Sequence, residues 1–185
     1  SLSLGSFDSS GSLEVLYDFG GPVAGFQFDV SGLNLIGSAD GVADDIGMVI
    51  SISGTTIVGF SFGNNTISAG SGILTILSFS SAISGITELS LGNFGAVTDA
   101  SGNAYITTAS GSINHGNPDC EGNYYGTSEL DDCGICDGGN VDQDCAGVCF
   151  GDAVIDDCGD CVDLGNSCDC ISGIYDCLGI CDGVA

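Results

Sequence analysis

The residues with the clearest chemical potential lie in the last third of the sequence. All eleven cysteines fall between Cys120 and Cys181, and the residues before Cys120 contain none. Aspartates often stand directly before a cysteine, as in Asp144-Cys145. Cysteines form disulfides or bind soft metal ions, whereas clustered carboxylates bind hard cations. The sequence therefore raises two questions: what the cysteines bond to, and what the acids bind.

The density of cysteines favours disulfides. Eleven cysteines within residues 120–181 are typical of disulfide scaffolds that fold in an oxidising compartment. The ten that we expect to pair, with a connectivity that the sequence does not determine, are Cys133, Cys136, Cys145, Cys149, Cys158, Cys161, Cys168, Cys170, Cys177 and Cys181. Because eleven is odd, Cys120, which stands outside the repeated pattern, is predicted to be a free thiol or a link between chains.

Zinc binding is the alternative for two cysteine pairs. Cys133-x2-Cys136 and Cys158-x2-Cys161 have the spacing of zinc-ribbon ligands. Interleaved C-x3-C pairs and the many carboxylates, which prefer hard ions, weigh against zinc. Thioredoxin-type redox chemistry is disfavoured because the neighbouring aspartates do not stabilise a thiolate.

The charge balance indicates what the acids bind. The chain has 25 Asp and Glu residues, no Lys or Arg, and a formal net charge of −25. Repulsion at this density opposes a compact tail, and calcium, which takes carboxylate and carbonyl oxygens, is the expected counter-ion. The expected ligands are Asp131, Asp132, Asn140, Asp142, Asp144, Asp156, Asp157, Asp160 and Asn166. The alternative is that these acids form a solvated surface, since the EF-hand pattern is not matched.

The missing cations also exclude classes of partner. Nucleic-acid binding needs Lys or Arg to displace counterions, and anionic membrane surfaces attract basic segments. No apolar run reaches the roughly 18 residues of a membrane span, so we expect no membrane insertion. The single His115 lies outside any catalytic pattern, and no G-x-S-x-G motif is present. We therefore predict that the protein is not an enzyme.

The residues before the cysteines are predicted to form β-structure. Gly, Ser, Thr, Val and Ile dominate, and short apolar runs alternate with turn residues. The predicted strands lie at 13–19, 23–30, 33–36, 48–52, 56–62, 73–79, 87–91 and 105–108. This spacing indicates an antiparallel sandwich. The expected inward residues are Phe26, Phe28, Ile50, Ile52, Val58, Phe60, Phe62, Leu74, Ile76, Leu77, Phe79 and Leu91.

Three segments resemble cohesin-like domains. These are VAGFQFDV at 23–30, GSGILTILSF at 70–79, and VTDASGN at 97–103 followed by Tyr105. The resemblance covers most of residues 1–113 and implies a nine-stranded jelly-roll sandwich found on secreted or surface proteins. It carries no dockerin-contact residue onto this chain.

The tail repeats itself. DDCGIC at 131–136 recurs as DDCGDC at 156–161, and DCAGVC at 144–149 recurs as DCLGIC at 176–181. The pattern resembles the DDCGxCxGGN repeats of large secreted microbial surface proteins, and its composition is similar to that of calcium-loaded thrombospondin type 3 repeats. We predict three parts: a sandwich at 1–113, a linker at 114–119, and a Cys/Asp-rich repeat tail at 120–185.

Together these features predict a secreted, cell-surface protein. The first hypothesis is a structural subunit of an extracellular filament or matrix, a homopolymer stabilised by disulfides and divalent cations. The alternative is a binding module on a rigid stalk, with a protein or carbohydrate partner. The absence of tryptophan weakens the carbohydrate version, because sugars stack on aromatic rings. Asn64 stands in an N-x-T sequon and is a possible glycosylation site.

Overall fold

The computed structural model describes residues 1–63, 65–156 and 159–163. Two compact units make up the chain, Ser1–Gly126 and Thr127–Ala185. The boundary thus falls after Gly126, and the first unit extends beyond the predicted linker at 114–119. Within the described residues, no helix has the length and apolar character needed to span a membrane.

The first unit is a sandwich of two sheets. Its strands are β1 (Leu2–Asp8), β2 (Ser12–Phe19), β3 (Gly25–Ser31), β4 (Leu33–Ala39), β5 (Val49–Ser53), β6 (Thr56–Phe60), β7 (Gly70–Ala82), β8 (Ile86–Ser90), β9 (Ala96–Thr98), β10 (Ala109–Ser110) and β11 (Ser112–Asn114). A short helix, α1 (Val42–Asp45), precedes β5. One sheet has the order β10-β1-β2-β7-β4 and the other β11-β8-β3-β6-β5, with β9 beside β3. The predicted all-β antiparallel sandwich is confirmed, although β1 and β10 pair in parallel.

The predicted strands lack β1 and the short strands β9, β10 and β11, and they include one segment that is not a strand. Strand β1 was not predicted, because Ser and Gly interrupt its short apolar pattern and only Leu2 is fully buried in it. Residues 105–108 were predicted to be a strand but are not one. The Tyr105 N–H donates to the Val97 carbonyl (2.8 Å), and the sheets close instead with the short strands β10 and β11.

The core contains the side chains of β3 that were predicted to face inward. On β6 the other set of alternating side chains faces inward instead. Phe26 and Phe28 are buried, whereas Phe62 is 83% exposed. On β6 the buried positions are Ile57 and Gly59. A Cβ on Gly59 would lie 2.1 Å from the Phe26 ring, which pairs with it across the strands. The aromatic ring of β3 therefore occupies the space that a side chain on β6 would need.

The end of the first unit is anchored by His115. This residue is only 6% exposed, so it does not belong to an open linker. Its Nε2 lies 2.8 Å from Thr87 Oγ1, and its Nδ1 lies 2.6 Å from the Tyr125 hydroxyl. Phe7 packs against both the His115 and the Tyr125 rings. Burial lowers the pKa of His115, which is consistent with a neutral structural histidine.

The second unit has little hydrophobic core. Ala153 is the buried hydrophobic residue among its described positions, while Val141 and Phe150 are strongly exposed. Its regular strands are short: β12 (Val154–Ile155) pairs with β13 (Cys161–Val162). Since apolar burial is small, hydrogen bonds and disulfides must hold this unit together. This confirms the predicted irregular, disulfide-rich tail.

Candidate functional site

A five-residue turn, here termed the aspartate loop, occurs twice in the first unit and three times in the second. Its first residue is Asp and its fourth is a Gly with φ of 77–90°. The Asp N–H donates to the carbonyl of the fifth residue at 2.9–3.0 Å, and the Gly N–H donates to the Asp carbonyl at 2.9–3.1 Å. The positive φ explains the glycine, since side chains disfavour that conformation. The loops occupy 99–103, 119–123, 131–135, 144–148 and 156–160, of which 157 and 158 lie outside the described residues.

The Asp131 carboxylate holds its loop together from inside. Oδ1 accepts hydrogen bonds from the N–H groups of Cys133 and Ile135, both at 2.9 Å. Oδ2 accepts from the N–H of Asn140 at 3.0 Å. These donors, the Ile135 N–H foremost, lower the pKa of Asp131 because they favour its ionised form. Backbone N–H dipoles thus stabilise the ionised Asp131 carboxylate within its own loop.

Asp144 repeats this geometry thirteen residues later along the chain. Its Oδ1 accepts from the N–H groups of Ala146 and Val148, both at 2.9 Å, and its Oδ2 accepts from Ala153 N–H at 3.1 Å. The Val148 N–H is the main cause of a lowered pKa at Asp144. The two carboxylates therefore have the same structural role in successive loops.

Acid should weaken these loops. The pKa of Asp131 and of Asp144 is lowered from the ordinary 3.8, so their stabilisation is complete above that value and disappears as pH falls through the folded-state pKa. We expect the protection of the Ile135 and Val148 amides, their exchange rate relative to the intrinsic rate at each pH, to fall over this acidic range. Asp131→Asn with Asp144→Asn, which cannot ionise, should exchange faster at neutral pH and lose most of the acid dependence. An unchanged acid dependence in that variant would contradict the assignment.

A second glycine completes three of the five loops. Gly126, Gly138 and Gly151 lie seven residues after the loop aspartate, and a Cβ there would lie 1.8, 2.3 and 1.9 Å from its Oδ2. The full pattern is therefore D-x2-G-x3-G, at 119–126, 131–138 and 144–151. This Asp and Gly spacing is visible in the sequence, but aligning the repeats by their cysteines hides it.

Gly151→Ala should expel the Asp144 carboxylate from its loop. We expect destabilisation of the second unit by about 1–3 kcal/mol, as for other overpacked sites. Faster exchange of the Val148 and Ala153 amides would report it. Ala146→Ser adds an atom at an exposed position of the same loop and should have little effect. Equal effects of the two substitutions would contradict the steric explanation.

Disulfides connect successive loops. Cys133 bonds to Cys149 and Cys145 bonds to Cys161, each over a separation of 16 residues. In both cases the first cysteine lies inside one loop: Cys133 is the third residue of its loop and Cys145 the second. The second cysteine, Cys149 or Cys161, directly follows the next loop. The two bridged segments overlap, because Cys145 precedes Cys149 in sequence. The loops at 131–135, 144–148 and 156–160 are therefore bonded in series.

The structure corrects two cysteine predictions. Cys120 is disulfide-bonded, so its prediction as a free thiol or interchain link was wrong. The zinc alternative was also wrong for the described cysteines of those pairs, since Cys133, Cys136 and Cys161 are all disulfide-bonded. The remaining predicted cysteines lie outside the described residues: Cys158, Cys168, Cys170, Cys177 and Cys181.

The structure brings some of the predicted calcium ligands together. Asp132 Oδ2 accepts hydrogen bonds from Asn140 Nδ2 (3.1 Å) and Gln143 Nε2 (3.3 Å), and Asp132 N–H donates to Asn140 Oδ1 (3.0 Å).

The other predicted ligands have different positions. Asp156 caps the last described loop by accepting the Asp160 N–H (2.9 Å). The backbone carbonyl of Asp142 accepts the Phe150 N–H (2.6 Å). Asp157 and Asn166, like the sequon residue Asn64, lie outside the described residues.

Comparison with known proteins gives structural likeness alone. The chain matches no protein-family model and, at a significant level, no curated protein. A non-cellulosomal cohesin from the hyperthermophilic archaeon Archaeoglobus fulgidus is similar at 17% identity and a TM-score of 0.45, over 62% of this chain and 88% of that one. The sixth cohesin of Acetivibrio cellulolyticus scaffoldin B, solved in complex with a dockerin mutant, is similar at 16% identity and a TM-score of 0.43, over 61% and 96%.

Proposed function

We propose that the protein is a structural subunit of an extracellular or cell-surface filament or matrix that self-associates. The observation that carries this proposal is the chain of aspartate loops in which Cys133–Cys149 and Cys145–Cys161 bond each loop to the next. Such an array resists unfolding without a hydrophobic core and extends by repetition. Disulfides at this density form in oxidising compartments, which supports a location outside the cytosol.

Calcium is proposed as the counter-ion of the remaining acids. The net charge of −25 has no Lys or Arg to balance it, and the caps at Asp131 and Asp144 account for only part of the carboxylates. Exposed acids such as Asp132 and Asp160 could bridge through a hard cation within or between molecules. Calcium would then strengthen both the array and the assembly.

Electron microscopy of the purified full chain tests this function. We expect filaments or sheets in calcium, their loosening by a chelator, and loss of the tail structure on reduction. Assemblies indifferent to the chelator would remove calcium from the proposal while leaving the structural role. Monomers at all concentrations in calcium would contradict the structural role itself.

A cavity in the sandwich favours binding as a second function. It has a volume of about 270 Å³ and is lined in part by Phe19, Val23 and Tyr105, with the fully exposed Ile106 at its side. Apolar concave surfaces of this kind bind ligands, and Tyr105 could stack on a sugar ring. A glycan array with the chain and its Tyr105→Ala variant tests this. Specific binding that the variant loses would favour the binding module.

A further inference from the structure

Strands β5 and β6 contain no charged residue in a strongly acidic protein. No acid occurs between Asp45 and Glu88, a stretch that includes β5, β6 and β7. Because the chain carries a net charge of −25, two copies repel each other over most of their surfaces. An uncharged region is where like molecules can approach at the smallest electrostatic cost.

Strand β5 is also the least protected edge of the sandwich. The other edge strands are blunted: β10 has two residues, β11 has three, and β4 has two register shifts along β7. Strand β5 pairs with β6 through five consecutive residue pairs without a shift. It contains no charge and no proline, the features that normally prevent edge-to-edge pairing. Its free edge can therefore accept another strand.

An apolar strip lies beside this edge on the outer face of the sheet. Val49 pairs with Phe60 across the strands, and Val58 is on the same face two residues along β6. Phe62 packs edge-to-face on Phe60 with ring centroids 5.0 Å apart. Asp29 lies at the other end of this face, where its carboxylate accepts a hydrogen bond from the Thr56 hydroxyl.

The loop that presents Phe62 is held by hydrogen bonds. Ser61 Oγ accepts from the N–H groups of Gly63 (3.2 Å) and Asn65 (3.0 Å). Asn65 Nδ2 in turn donates to the Ile46 carbonyl (2.8 Å). The backbone on either side of the 83% exposed Phe62 is thus held in place, which lowers the entropy cost of ordering this segment against a partner.

We propose that the free edge of β5 and the strip Val49, Val58, Phe60 and Phe62 form an interface with a second copy of this chain. Two β5 strands pair antiparallel, so that the six-stranded sheet continues across the dimer axis. The inference rests on the proposed self-associating function and assigns it an interface. A second copy fits because it brings the same uncharged edge strand.

The antiparallel arrangement also separates the nearest acids. Asp44 and Asp45 precede β5 and are exposed. In the dimer these residues of the two copies lie at opposite ends of a shared edge about 17 Å long, beyond the Debye length of about 8 Å at physiological salt. The opposite strand direction would place them side by side.

Sedimentation velocity of the full chain, with chelator and at low and high NaCl, tests the interface. We expect a monomer–dimer equilibrium that strengthens with salt, because salt screens the repulsion between the copies. Phe62→Ser should weaken the dimer, raising its dissociation constant about tenfold or more. Phe94→Ser is the matched control, since Phe94 is 84% exposed outside the strip and should leave association unchanged.

A second variant tests the strand pairing. Ser51 is exposed at the middle of β5, so Ser51→Asp places two acids near the dimer axis without a folding cost. It should abolish the dimer, whereas Ser110→Asp on the exposed end of β10 should not. Equal effects of Phe62→Ser and Phe94→Ser, or association that weakens with salt, would overturn the interface. Filaments in calcium that survive Phe62→Ser and Ser51→Asp would leave the proposed function intact and refute this interface alone.

Discussion

Removing the Cys145–Cys161 bridge should destabilise the second unit by about 3 kcal/mol, the value expected for a loop of about 15 residues. The bridge spans 16 residues in a unit where Ala153 is the buried hydrophobic side chain among the described positions. No apolar core is available to compensate for the lost constraint on the unfolded chain. Cys145→Ser with Cys161→Ser, made together so that neither thiol exchanges with other bridges, is the variant to compare with the intact chain.

Hydrogen exchange of the individual amides is the appropriate measurement. The amides of Ala146 and Val148 should exchange faster, because the bridge holds their loop against its successor. Tryptic digestion cannot report the change, since the chain has no Lys or Arg, but a protease that cleaves beside Asp can. Core amides of the sandwich, such as that of Phe28, should be unaffected. Unchanged exchange in the 144–151 loop would show that its hydrogen bonds suffice without the disulfide.

The sequence predicted the fold class because its evidence is local. Alternation of Phe26, Phe28 and Val30 follows the side-chain period of a strand, and all three are buried. The disulfide character of the tail likewise follows from composition. The pairing of Cys133 with Cys149 could not be predicted, because it depends on how successive loops face each other and not on spacing along the chain.

The aspartate loops were missed for a different reason. Cysteines were taken as the reference positions of the repeat, but the constant features are the capping Asp and the glycine that follows it by three. The loop at Asp99 has no cysteine and lies in the sandwich, where Oδ1 accepts from Ser101 and Asn103 N–H (both 2.8 Å). Side-chain capping of the backbone is therefore the more general element. It also gives several acids a structural role that net charge alone does not suggest.

The inverted phase of β6 shows where a local pattern is insufficient. Val58, Phe60 and Phe62 alternate as a core-facing set would, yet the buried positions are Ile57 and Gly59. The choice between the two faces was decided by the neighbouring strand, because the Phe26 ring requires a glycine opposite it. The outward aromatic side chains that result are those of the apolar strip.

Gly59→Ala should therefore be among the most damaging single substitutions in the sandwich. The new methyl group would lie 2.1 Å from Phe26 Cζ, and the ring, only 3% exposed, has little room to move. We expect a loss of about 3 kcal/mol in the free energy of unfolding, at the upper end for overpacked cores. Urea denaturation followed by tyrosine fluorescence measures it. Gly37→Ala is the control, since no atom lies within 4 Å of a Cβ there.

A second substitution that shortens Phe26 tests why Gly59→Ala destabilises the sandwich. It distinguishes overlap with the Phe26 ring from a general intolerance of β6 to substitution. Phe26→Leu alone should cost stability by leaving a cavity, as large-to-small core substitutions do. Combined with Gly59→Ala, the smaller side chain makes room for the new methyl group, so the double variant should be more stable than the sum of the two losses predicts. Additive losses would mean that Gly59 is required for its backbone and not for the space that it gives to Phe26. A positive coupling would instead establish that one aromatic ring on β3 determines which face of β6 is presented to solvent.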